Sequence, residues 1–120
     1  MNNRELLELA ALAAGYNIGF FSARNQNGFT CGFTHAKDGG DWNPLEDDGD
    51  ALRLAVKLKL EIYHAWDDVT QVCVGYPNVG KGRTDISYVV ESYKDVNILE
   101  ATRRSIVRAA AEIGKSMKVD

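Results

Sequence analysis

Gly75, Gly80 and Lys81 stand at the G-x-x-x-x-G-K spacing of a phosphate-binding loop, in the run GYPNVGKG behind a strand-like segment. In that motif backbone N–H groups cradle the phosphates, the lysine reaches the terminal ones, and a Ser or Thr holds magnesium. Two departures break the pattern. Gly82 occupies the Ser/Thr position, and the following TDISYVV reads as a strand, so no helix N-terminus would face a phosphate. The expectation is a glycine-rich connection over Tyr76 to Thr84 without ATP or GTP turnover. Lys81 and Arg83 nevertheless bring two cations beside the aromatic Tyr76, and the glycines let backbone N–H groups approach a partner. These three residues form the first candidate site, suited to an anionic or phosphorylated ligand.

Cys31, His35, Asp38 and Asp41 gather metal-ligating atom types in one short stretch, with Cys73 and His64 as the other soft donors of the chain. Structural zinc takes four N or S ligands, and nothing in this spacing enforces such a set. A half-buried cysteine and a loop histidine account for these residues, and neither metal nor cofactor is expected. His35, Asp38 and Trp42 remain as a second candidate patch. EDDGD misses the intervals of a calcium loop and is read as helix capping. For nucleophilic catalysis there is no G-x-S-x-G and no convincing Cys–His or Ser–His grouping. The acid pairs Asp47–Asp48 and Asp67–Asp68 fall at a cap and a turn. A binding function without catalysis is the expectation.

The totals narrow the partners. A net charge of -3 argues against bulk nucleic-acid binding. Arg103, Arg104, Arg108, Lys115 and Lys118 give the last helix a basic side, read as a solvated face with Arg104–Glu100 and Arg108–Glu112 pairs. Two cysteines do not make a disulfide scaffold, no apolar run reaches membrane-spanning length, and the opening MNNRELLELA lacks the form of a signal peptide. A cytoplasmic chain is expected.

The elements that must position these groups follow from capping and periodicity. Asn2 with Glu5 and Asn97 with Glu100 are capping-box pairs that open the first and last helices. Gly15 closes the first. Tyr16 to Ser22 and Phe29 to Thr34 flank the hairpin dipeptide Asn27-Gly28. Pro44 and the acids at 46–48 start a middle helix whose apolar residues surround a stripe of Asp50, Arg53 and Lys57, which predicts a central, largely buried helix. Trp42 is read as the buried anchor before it. Leu60 to Trp66, Val69 to Val74 and Asp85 to Tyr93 alternate as strands. The last helix, running to about Met117, carries a core stripe and is long enough to serve as core or to support a homodimer. The order α-β-β-α-β-β-β-α over one domain, residues 1–120, predicts an α+β fold with a mainly antiparallel sheet of about five strands and three helices packed on it.

Two segments, WNPLEDDGDALRLAVKL at 42–58 and ATRRSIVRAAAEIG at 101–114, cover about a quarter of the chain. They resemble small uncharacterised proteins of tailed phages and prophages, and the layout is similar to the phage ABA-sandwich group, in which helices flank a sheet. The resemblance implies a phage accessory protein made in the host cytoplasm; the expected partner is a host macromolecule or a small anionic ligand. It carries no catalytic residue across. What repeats is Trp42, the caps and the core.

Overall fold

The computed structural model describes residues 2–25, 28–35, 41–64, 71–77, 86–93 and 97–118, without the side chains of 20–25, 28–32, 34 and 35. The expected α+β class with antiparallel pairing is what the chain adopts. Helix α1 (Asn3–Ala14) leads to β1 (Ile18–Asn25), β2 (Gly28–His35) and β3 (Asp41–Trp42); helix α2 (Asp48–Leu58) leads to β4 (Glu61–His64), β5 (Gln71–Pro77) and β6 (Ile86–Ser92); helix α3 (Ile98–Met117) follows. Six strands replace about five because the two residues Asp41–Trp42 pair with Phe33 and Thr34. They form two three-stranded antiparallel meanders, β1-β2-β3 and β4-β5-β6, each following a helix. In the first hairpin Asn25 faces Gly28, so the two-residue connection is 26–27, outside the described residues. No helix among the described residues is long and apolar enough to cross a membrane.

The capping signals work as their chemistry requires. Asn2 Oδ1 accepts the Glu5 N–H at 2.8 Å, Asp47 Oδ2 accepts that of Asp50 at 2.8 Å, and Asn97 Oδ1 accepts that of Glu100 at 2.6 Å. Each supplies one partner for N–H groups that a helix start leaves unbonded. The ends of α1 and α2 share one geometry. Tyr16 donates to Ala11 O and Gly15 to Leu12 O; Leu60 donates to Ala55 O and Lys59 to Val56 O. This double closure needs a left-handed residue at its corner. Gly15 takes it at φ 73° and Lys59 at φ 56°.

The organising helix is α3, not α2, which corrects the expectation from the sequence. α3 packs along α1 and α2 and lies across β5 and β6. Its small residues make that possible: Ser105, Ala109, Ala110, Ala111 and Gly114 are all buried. At Gly114 a Cβ would stand 2.1 Å from the carbonyl oxygen of Leu9, so the α1 and α3 backbones touch there. α2 buries Asp50, Ala51, Leu54 and Ala55, whereas Leu52 and Val56 are 60% and 68% exposed. The polar stripe is also split. Asp50 is buried, accepting the Asn43 N–H at 2.9 Å and Arg53 Nη2 at 2.8 Å, while Arg53 itself is exposed.

The two segments of the phage resemblance meet in space. Arg103 of α3 donates to Leu45 O at 2.9 Å and pairs with Asp48 at 2.7 Å, tying the turn before α2 to α3. Trp42 is 2% exposed and meets Tyr16 edge-on at 5.8 Å between ring centroids, which fits its reading as an anchor. The basic side of α3 is built differently from the expected i, i+4 pairs. Glu91 of β6 lies between Arg104 (3.8 Å) and Arg108, which it contacts directly, and Lys115 pairs with Glu112 at 3.7 Å.

Candidate functional site

Tyr76 is the member of the first candidate site that the structure places. It sits on a strand instead of a loop, because β5 continues to Pro77 and pairs Tyr76 with Ser87 and Pro77 with Ile86. Pro77 is tolerated as the strand's last residue, where little further ladder bonding is lost. Tyr76 is half-buried and packs against the core. Burial pushes its phenol above the ordinary value and Glu112 adds to the shift; a hydrogen bond with Ser87 and the charge of Arg108 oppose it. Lys81 and Arg83 lie outside the described residues.

Around Tyr76 is an open groove of about 410 Å³, lined by Leu58, Lys59, Glu61, Gly75, Tyr76, Pro77 and Ile86. Three elements build it. The C-terminal turn of α2 contributes Leu58 and Lys59, the start of β4 contributes Glu61, and the paired ends of β5 and β6 contribute the rest. Gly75 leaves the floor low, since a Cβ there would stand 2.9 Å from the Tyr88 ring. Most of the wall is hydrocarbon or aromatic, with one cation and one carboxylate at its edge. Glu61 is already engaged by the Tyr63 hydroxyl, which donates to its carboxylate at 2.5 Å. That bond holds the Tyr63 phenol well above its ordinary value, at about 12. Lys59, at the left-handed corner that ends α2, also lines the groove.

Of the second candidate patch the structure describes one side chain, that of Trp42. Trp42 belongs to the core and offers almost no area to a ligand. His35 ends β2 opposite Ile18, and its side chain, like the whole of Asp38, lies outside the described residues. Cys73 and His64 are separated from one another. Cys73 pairs with Tyr63 and His64 with Val72, adjacent pairs whose side chains project from opposite faces of the sheet. Among the described residues no three His, Cys, Asp or Glu converge as a metal site.

Sequence reasoning found Tyr76 but missed Leu58, Lys59 and Ile86. Lys59 had a readable signal: it follows the last apolar residue of a helix at the position where Gly15 closes α1. Ile86 could not be found from alternation, which does not say which side of a strand is covered. No protein-family model, curated protein or solved structure matches the chain.

Proposed function

We propose that this chain is a binding protein without catalytic activity, an accessory protein of a tailed phage or prophage acting in the host cytoplasm, and that its ligand site is the groove at Lys59, Tyr76 and Ile86. The observation that carries the site is Lys59. A non-glycine residue in the left-handed region is disfavoured, and the same closure of α1 uses glycine. Keeping a lysine at that corner makes sense when its ammonium group serves something else, and it lines the groove. Strain of this kind points from geometry toward function.

An apolar groove with a cation at its rim suits an apolar segment of a host macromolecule bearing an acidic group. Leu58, Tyr76, Pro77 and Ile86 would cover the apolar part while Lys59 meets the charge. A second reading is a small anionic ligand, nucleotides included. It is favoured by the position of the groove at the root of the 78–85 segment, which brings Lys81 and Arg83 within the same stretch of chain.

The test uses 8-anilinonaphthalene-1-sulfonate, an aromatic sulfonate with both required features, followed by fluorescence titration. Wild-type protein should bind one equivalent. Lys59→Gly should weaken binding while stabilising the fold by about 1 kcal/mol, the cost of a non-glycine residue at a left-handed corner. Lys81→Ala with Arg83→Ala reports whether the loop cations share the anion. Probe binding unchanged by both Lys59→Gly and Ile86→Asp would reject the groove as the site.

A further inference from the structure

The outer face of the β4-β5-β6 sheet is built the wrong way round for a solvent face. In a sheet covered on one side, the covered face is apolar and the other polar. Here α3 covers the side that carries Val72, Val74 and Val89, but β6 also turns Ser87 and Glu91 to that side. Its outward residues are Ile86, Tyr88 and Val90. The register places Tyr63 and Cys73 beside Val90, and Gly75 beneath Tyr88. Ile86, Tyr88, Val90 and Tyr63 are each 44–52% exposed, and the two tyrosine rings lie 6.3 Å apart.

We propose that this face is a homodimer interface, closed by a second copy of the same sheet about a twofold axis. Charge selects this partner. Among the described outward residues of the three strands the one charged group is Glu61, at the edge, and its carboxylate is bound by the Tyr63 hydroxyl. A nucleic acid or an acidic membrane would find no counter-charge on such a face. A twofold contact sets identical surfaces against each other, which a charged face would oppose and a neutral one permits. Two sheets can stack at about 10 Å with their side chains interleaved.

Area sets the strength. Two half-exposed tyrosines and two half-exposed aliphatics present on the order of 300 Å² of apolar surface, the scale at which a patch on a monomer becomes functional. With the polar rim of Gln71, Ser92 and Glu61 the pair of faces approaches about 1,000 Å², the lower bound for a specific interface. A contact of that size belongs with weak, transient interfaces, so the dimer forms only at high protein concentration. Arg108 Nη1 donates to the Val90 carbonyl at 3.3 Å, tying the β6 backbone to α3.

Sedimentation velocity over about 1–300 μM should show wild-type protein passing from monomer to dimer. The double variant Tyr88→Lys, Val90→Lys should remain monomeric throughout with an unchanged far-UV spectrum, because both side chains are half in solvent already. Tyr88 and Val90 do not line the groove, whereas Ile86 and Glu61 belong to both surfaces; the two readings separate because Lys59→Gly should dimerise as wild type does and the monomeric double variant should still bind 8-anilinonaphthalene-1-sulfonate. Hydrogen exchange on wild type gives a second readout should the double variant not fold: protection across 86–92 should rise with concentration. A wild-type monomer at 300 μM, a dimer that survives the double variant, or a dimer dissociated by Leu52→Lys with Val56→Lys would each overturn the proposal.

Discussion

Replacing Gly114 with alanine pits two effects of opposite sign against each other, and the geometry decides between them. In an exposed helix interior the change stabilises by about 1 kcal/mol, because glycine gives up more backbone freedom on folding. At Gly114 the new Cβ would lie 2.1 Å from Leu9 O, 2.8 Å from its carbonyl carbon and 3.1 Å from its Cα. These are backbone atoms of α1 and cannot swing aside. Restoring ordinary contact at about 3.4 Å moves the helices apart by more than ~1 Å, and overpacking of that kind costs typically 1–3 kcal/mol or more. The collision is with a rigid carbonyl, so the upper end applies and the net loss is about 2 kcal/mol. For a chain of this size that lowers Tm by roughly 6–12 °C. Gly49→Ala is the control. Its Cβ would meet the end of the Arg53 side chain at 3.1 Å and the capping Asp47 carboxylate at 3.2 Å, side-chain atoms that need give only a few tenths of an ångström, and its Tm should stay within about 2 °C of wild type. Melting of Gly114→Ala at or above the wild-type temperature would refute the backbone contact between α1 and α3.

Asp50→Ala should destabilise by about 1–3 kcal/mol in urea denaturation, since it strands the Asn43 N–H that fixes the turn after Trp42; a loss below about 0.5 kcal/mol would show that the turn holds without it. Tyr63 should ionise well above the ordinary tyrosine value. Its folded pKa of about 12 lies above the unfolded value of 10.0, so its contribution is complete below pH 10 and lost as pH rises toward 12. Absorbance titration at 295 nm should lose its component near pH 12 in Glu61→Gln and in Tyr63→Phe; an unchanged curve in both would remove the hydrogen bond from the account.

Helix starts were legible in the sequence because a cap is a local event: Asn2, Asp47 and Asn97 each bond an N–H three residues on. Which helix lies at the centre was not. The large apolar residues of α2 suggested burial, yet Leu52 and Val56 face away from α3. α3 is central because alanine, serine and glycine let neighbours approach on several sides, and small residues leave little trace in a hydrophobic pattern. Strand parity was readable for β6, but its sign was not. Glu91 turns inward because Arg104 and Arg108 wait on α3, a long-range fact that alternation cannot contain. For the groove, Tyr-Pro-Asn was read as loop where Tyr76 and Pro77 extend the strand, and its other walls come from elements distant in sequence.

The contact between Leu9 and Gly114 also has a history within each molecule's synthesis. The two residues are joined by more than a hundred peptide units, and a ribosome adding about 5–20 residues per second reaches the second some 5–20 s after the first. Until then α1 lacks its main partner, the α3 surface on which most of its apolar side lies. The newborn chain must carry that greasy stripe largely unpaired while both meanders emerge. Occupancy of nascent chains by a holding chaperone should therefore persist until α3 appears, and a pause codon placed just upstream of Ile98 should cost soluble yield more than one placed downstream of Met117.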